Sequence, residues 1–347
     1  MSLDSRVRSA VDETLRGSLD VDQGLHALRR TRRRRSAGRI AAGGAVVALM
    51  LAGVLVDRHD SRPEPAPTPG QVHNGVMFAT SPGRLLAPVI GQRLPGVPLT
   101  VDDAGPLSFS TDGHRVFYAQ HRIVYASDVD TGERTPLAGC PDKVCVAAVT
   151  GDGDEVAFGR GGRIEVHPLS SSAPIVDFRV PGPVRAPVWA PVWGPDQRRI
   201  AFLGGEYGRR GPWLSVLDTR TGSVRRLARV GQTSGEQPAW SPDGSTIAYV
   251  RHRAGEQYAP VELMTVPSDG GRPRRVHELG ECCIRDYPAV AWSPDGRLLA
   301  ATYHSPRSHY VGGPVYTVRP DGTGWRLLLR GLYDSRLAWQ PVLTERD

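Results

Sequence analysis

Self-similarity at a period of 40 to 52 residues constrains this chain more than any other feature. Trp240-Ser-Pro-Asp-Gly244 and Trp292-Ser-Pro-Asp-Gly296 are identical pentads. Each runs into an alternating apolar stretch, Thr246-Ile-Ala-Tyr-Val250 and Arg297-Leu-Leu-Ala-Ala301. Degenerate copies open at Phe109 (with Asp112), Val149 and Trp193 (with Asp196), and Trp339-Gln340-Pro341 looks like the start of one more. A fixed period of this size marks an array of like supersecondary units and excludes a single doubly wound sheet or a helical bundle.

The content of one unit follows from its turns. In Ser-Pro-Asp-Gly the proline presets the second position of a type I turn, and Gly244 or Gly296 accepts the left-handed conformation that closes it. A second signature follows in each unit, as in Leu217-Asp-Thr-Arg-Thr-Gly-Ser-Val224 and Val318-Arg-Pro-Asp-Gly322, and reads as strand, tight turn, strand. One unit thus supplies two hairpins, the four strands of a propeller blade. The 40 glycines and 30 prolines, about a fifth of the chain, suit many short strands better than long helices. The expected fold class is all-β, a six-bladed β-propeller of four-stranded blades over residues 76–342. Five blades run from about 107 to 331. The sixth would be shared between the C-terminal strand after Arg336 and residues 76–100, leaving no unpaired sheet edge. Trp193, Trp240, Trp292, Trp339 and Phe109 fall on inner strands, between neighbouring blades.

The two pentads and their followers resemble the TolB-like, or PD40, relatives of the WD40 repeat, over about residues 76–341. The resemblance implies a six-bladed propeller that stands in the bacterial envelope or is attached to a peptidase domain, and that works by binding. The TolB protein itself has a separate N-terminal α/β domain and no membrane anchor, so its envelope role does not transfer.

Residues 1–39 hold ten Arg against five Asp or Glu, most of the net charge of +7. The remainder is nearly neutral, which argues against a nucleic-acid face. Ile40 to Val56 carries no charge and follows the basic run Arg29-Arg30-Thr31-Arg32-Arg33-Arg34-Arg35. This pattern predicts a transmembrane helix over 37–56, a cytosolic basic tail over 1–36 and an N-in, single-pass topology in the cell membrane. A cleaved signal peptide fits less well, because no Ala-x-Ala site follows the apolar run. Residues 57–75, with prolines at 63, 65, 67 and 69, form an extended linker that holds the propeller outside the membrane. Lys143 is the only lysine among 43 basic residues, a bias expected of a high-GC, actinobacterial genome.

No catalytic pattern stands out. There is no G-x-S-x-G elbow, and the chain leaves no room after the last strand for a peptidase domain. The Ser-x-Asp pattern lacks the spacer of sialidase repeats. His304 and His309 want a third metal ligand, and Asp152 and Asp154 lack calcium-loop spacing. The expectation is therefore a binding or sensing module and not an enzyme, with no cofactor and no metal. The alternative is a propeller lyase or hydrolase acting on a wall or extracellular substrate in the central channel. Cys140 and Cys145 are spaced to close a small loop, leaving Cys282 and Cys283 as a vicinal pair. The long middle loops of the third, fourth and fifth blades place Arg209, Arg210, Arg251, Arg253, Arg307, Tyr207, Tyr258 and Tyr310 on one rim, a surface for an anionic envelope polymer or an acidic protein. The sequence leaves the oligomeric state open.

Overall fold

The computed structural model describes residues 74–81, 84–86, 107–129, 131–142, 145–182, 187–205, 211–231, 237–253, 259–282, 288–302, 313–333 and 336–341. The expected tail, transmembrane helix and most of the linker lie outside them. Among the described residues no helix is long and apolar enough to cross a membrane.

Five antiparallel four-stranded sheets follow one another along the chain. The first comprises Ser108–Phe109, Arg115–Gln120, Ile123–Asp128 and Arg134–Gly139, and the second Ala147–Val149, Glu155–Arg160, Arg163–Pro168 and Val176–Arg179. The third holds Val188–Trp193, Arg199–Gly204, Trp213–Asp218 and Ser223–Arg229. The fourth holds Ala239–Trp240, Thr246–His252, Ala259–Pro267 and Arg274–Cys282, and the fifth Val290–Trp292, Leu299–Thr302, Gly313–Val318 and Arg326–Tyr333. Each is a blade in sequence order, the arrangement that hairpin-by-hairpin reading requires.

A further sheet joins the two ends of the domain. Asn74–Ser81 pairs antiparallel with Arg84–Leu86 on one side and with Leu337–Pro341 on the other, Met77 opposite Trp339 and Asn74 opposite Pro341. This corrects the expectation of six four-stranded blades. The described residues form five, and the closing sheet has three strands, because residues 93–100, expected to add a strand, lie outside them. The ring is bonded shut where Gln340 Nε2 donates to the carbonyl of Gly113, 2.8 Å away in the first blade.

The core lies between successive sheets. Leu203, Leu214 and Val216 of the third blade meet Trp240, Ile247, Tyr249 and Met264 of the fourth. Like layers form at the other described junctions, for instance Ile164 against Ile200 and Phe202, and Val261 and Leu263 against Leu299 and Val318. The second strands are buried over most of their length because both faces meet a neighbouring blade, and the inner strands, which also face the axis, alternate between buried and half-buried positions. The outer strands alternate less and are largely exposed. Burying both faces of each sheet is what stabilises a fold of such short strands.

The repeated turns give this ring its regularity. Ser241 and Ser293 hydroxyls donate to Asp243 and Asp295 (2.5 and 2.6 Å), and those carboxylates accept the backbone N–H two residues on, at 3.0 Å. Glycine supplies the left-handed residue at Gly113, Gly153, Gly244 and Gly296, with φ from 68° to 84°. In the third blade Gln197 holds that conformation at φ 55°, a strain the degenerate Trp193-Gly-Pro-Asp-Gln197 copy imposes.

Candidate functional site

The inner strands of all six sheets converge on an axial cavity of about 390 Å³. Phe109, Trp193, Trp240, Trp292 and Trp339 line it together with Val149, Ala148, Ala291 and Ala338. Tryptophan sits here because its ring covers the neighbouring blade while its N–H bonds that blade's backbone. Trp193 Nε1 donates to the Ala148 carbonyl at 3.0 Å, and Trp240 Nε1 to Val192 at 3.1 Å. Trp292 Nε1 is buried with no acceptor.

The two ends of the cavity differ. At one end Gln237 spans from the fourth blade to the first, its Oε1 accepting from the Leu107 N–H and its Nε2 donating to the Leu107 carbonyl, both at 3.3 Å. At the other end the wall is formed by the repeated turns, where Thr111, Pro195 and Pro242 are exposed. The cavity is thus a funnel whose wall reaches the exposed turn face and which Gln237 bridges towards its other end. No charged residue and no histidine is among its described lining residues, so the wall can hold apolar and aromatic groups by contact. Around the mouth, burial opposes ionisation of Asp112, but hydrogen bonds from Ser110 and the His114 N–H outweigh it and hold the carboxyl below its ordinary value. Asp243 is lowered first by the Ser241 hydroxyl and then by the Ser245 N–H.

A second constellation lies on the opposite face, beside the middle loop of the fourth blade. Glu262 is 1% exposed and faces three arginines. Arg251 places both Nε (2.8 Å) and Nη2 (2.7 Å) on its Oε2, Arg253 Nη2 lies 3.0 Å from Oε1, and Arg275 Nη1 3.6 Å from Oε1. Register explains the convergence, since Arg251 is the cross-strand partner of Glu262 and Arg275 stands on the adjacent outer strand. Burial opposes the charge on Glu262, yet the bonds from Arg251 and Arg253 outweigh it and keep its carboxyl below the usual value. On the same sheet face the Tyr249 hydroxyl is buried without a partner, and desolvation pushes it up to about 12.

The rim expected from the sequence is thus only partly on view. Arg251 and Arg253 converge on Glu262, a residue that sequence reasoning missed. A lone glutamate in Val261-Glu262-Leu263 gives no signal except that it interrupts an apolar run. Arg209, Arg210, Arg307, Tyr207, Tyr258 and Tyr310 lie outside the described residues, as do His304 and His309. Cys140 and Cys145 form a disulfide that closes the loop between the first two blades. Cys283 and the side chain of Cys282 lie outside the described residues. Among the described residues no group of His, Cys, Asp or Glu could hold a metal.

Comparison with known proteins sets the class. No known family's sequence profile matches the chain. Solved structures that superpose on it include TolB from Acinetobacter baumannii, with a TM-score of 0.57 at 18% identity over 78% of this chain and 67% of that one. A putative TolB from Agrobacterium tumefaciens gives 0.53 at 15% identity, over 79% and 100%. The described domain is a β-propeller. Its fold is that of the TolB-like propellers.

One curated protein, the uncharacterized peptidase YuxL of Bacillus subtilis (strain 168), is 28% identical over 112 residues, covering 31% of this chain and 16% of that protein. The chain thus spans about a sixth of the length of the curated relative it matches. This match overturns the expectation that the chain is not an enzyme. A stretch of 112 residues of this chain is similar to part of a protein named as a peptidase, so enzymatic activity is not excluded.

Proposed function

We propose that this protein is a membrane-anchored, extracytoplasmic propeller that binds a protein or ligand of the bacterial envelope through its axial funnel. The observation that carries the reading is the funnel itself. An aromatic, uncharged cavity of about 390 Å³, bridged towards one end by Gln237 and reaching the exposed turn face at the other, is of the size and polarity of ligand sites. The uncharged stretch 40–56 behind an arginine run supports the anchor and the N-in orientation. The Cys140–Cys145 disulfide supports an oxidising compartment for the propeller.

The test is in-cell crosslinking of the full chain beside Ala291→Phe, which adds bulk at a funnel-lining position of the fifth inner strand. A partner recovered with the parent and lost from a folded Ala291→Phe variant is the expected result. A partner retained by that variant at full yield overturns the funnel as the binding site.

The match to a named peptidase favours a second reading, in which the propeller serves a hydrolytic enzyme. Cleavage of casein by the purified full chain, absent from a mock preparation carried through the same purification, would establish it.

A further inference from the structure

Beyond the funnel, we propose that Arg253 and Arg275 form an oxyanion site on the opposite face of the fourth blade, built and held by the buried carboxylate of Glu262. The ligand chemistry is a single phosphate or carboxylate group of an anionic molecule.

The stoichiometry of donors carries the argument. Three guanidiniums bring up to fifteen N–H donors to one carboxylate that accepts at most about four hydrogen bonds. Arg251 spends two of its nitrogens on Oε2, and its side chain is 35% exposed. Arg253 and Arg275 each reach Oε1 with a single nitrogen, at 3.0 and 3.6 Å, and each is 53% exposed. Their remaining N–H groups face solvent from two fixed positions. Glu278, itself 53% exposed, lies 3.8 Å from the same Nη1 of Arg275, an ion-pair contact longer than a hydrogen bond. Positive charge exceeds negative in the cluster, and planar guanidiniums match phosphate and carboxylate geometry.

Glu262 has no reason to be buried for packing alone, because a carboxylate taken out of water costs more than an apolar group of the same size. Its effect is to order three long side chains that would otherwise lose rotamer freedom when an anion bound. Glu262 is thus a positioning residue, and Arg253 and Arg275 are the contact residues.

The substitution Glu262→Gln separates this from simple charge attraction. Removing a negative charge should tighten anion binding if the arginines act only by their field. It should weaken binding if the carboxylate positions them. The full chain, in phosphatidylcholine nanodiscs, is titrated with inorganic pyrophosphate and separately with citrate, each against sodium chloride at equal ionic strength. The readout is the rise in thermal midpoint that a ligand of the folded state must produce.

The expected result is a saturable rise with at least one anion, the stronger naming the phosphate or carboxylate source. Arg253→Ser and Arg275→Ser should each weaken it about tenfold, the loss of one charge-assisted contact. Glu262→Gln should weaken it by a similar factor despite the added positive charge. Glu262→Asp keeps the charge but shortens its reach, and should retain part of the binding. No rise with either anion overturns the site. Tighter binding by a folded Glu262→Gln overturns the positioning role. Because the funnel lies on the other face, either failure leaves the funnel reading standing, and its own failure shows in Ala291→Phe instead.

Discussion

The two faces of this ring are built on different rules. On the turn face the same hydrogen bonds recur: Ser110, Ser241 and Ser293 all donate to the aspartate two residues on. On the middle-loop face the described side-chain interactions differ from blade to blade. One blade holds the Glu262 cluster, the loop after the first blade holds the disulfide, and Arg160 of the second blade pairs with Asp142 and Glu165. A repeated interaction is a property of the fold and spreads its stabilisation over many copies. A single one concentrates its effect at one place, where it either staples an irregular segment or builds a site.

The largest effect expected of a single substitution is therefore on the middle-loop face. Glu262→Ala should lower unfolding stability by about 2 to 3 kcal/mol, less than a fully buried pair because its arginines keep part of their hydration. Urea unfolding measures it. Asp243→Ala on the turn face removes one copy of a repeated cap and should cost about 1 kcal/mol. Equal losses at the two positions would erase the distinction between the faces.

Reducing the Cys140–Cys145 bond, or making Cys140→Ser, should cost about 2 kcal/mol, the loop-closure entropy of so short a ring. The thermal midpoint with and without reductant reads it. No shift would mean that the loop is held by its contacts alone.

Along the axis the comparison becomes finer. Trp240→Phe loses the bond to Val192 and should cost about 1 kcal/mol, whereas Trp292→Phe loses a buried N–H that has no acceptor and should be close to neutral. Equal costs for the two would show that Trp292 finds a partner in solution. Smallest of all, Gln197→Gly should change stability by no more than about 0.5 kcal/mol. Relief of the left-handed strain is offset by the extra freedom of an unfolded glycine.

The acid dependence follows from the carboxylates. Asp112, Asp196, Asp243 and Glu262 sit below their ordinary values of 3.8 and 4.5, so the unfolded chain takes up protons first. Their stabilisation is complete above those values and is lost as the pH falls through the lower folded ones. Glu155 works in the opposite sense, since burial and then Asp152 and Asp154 raise its carboxyl. Burial holds the His277 imidazole below its ordinary 6.5, so stability should decline slightly from about pH 7 to 5 and then more steeply below about pH 4, with a shallower acid fall in Glu262→Gln. An unchanged slope in that variant would place the acid sensitivity on the turn face.

Much of the fold was legible before any coordinates. The Trp-Ser-Pro-Asp-Gly pentads, the second turn signature and the alternation after each located five blades, because β-turn chemistry and strand periodicity are local properties. The pairing of Asn74–Ser81 with Leu337–Pro341 was readable as well, since the repeat breaks off after one strand at the C-terminus. The site was less legible. The inner-strand tryptophans were expected between blades, but their convergence on one cavity depends on how six sheets are arranged about an axis. Arg251 and Arg253 were singled out as a free basic surface, and the partner that fixes them is a single glutamate on the next strand.

The repeat, the turns, the order of the strands and the candidate membrane segment can be read from the chain, because each rests on residues close together in it. That Gln237 reaches Leu107 across the ring, and that Arg251, Arg253 and Arg275 share one buried carboxylate, emerges from the folded arrangement. Those depend on register between strands and on distance across the axis, which no local pattern of residues specifies.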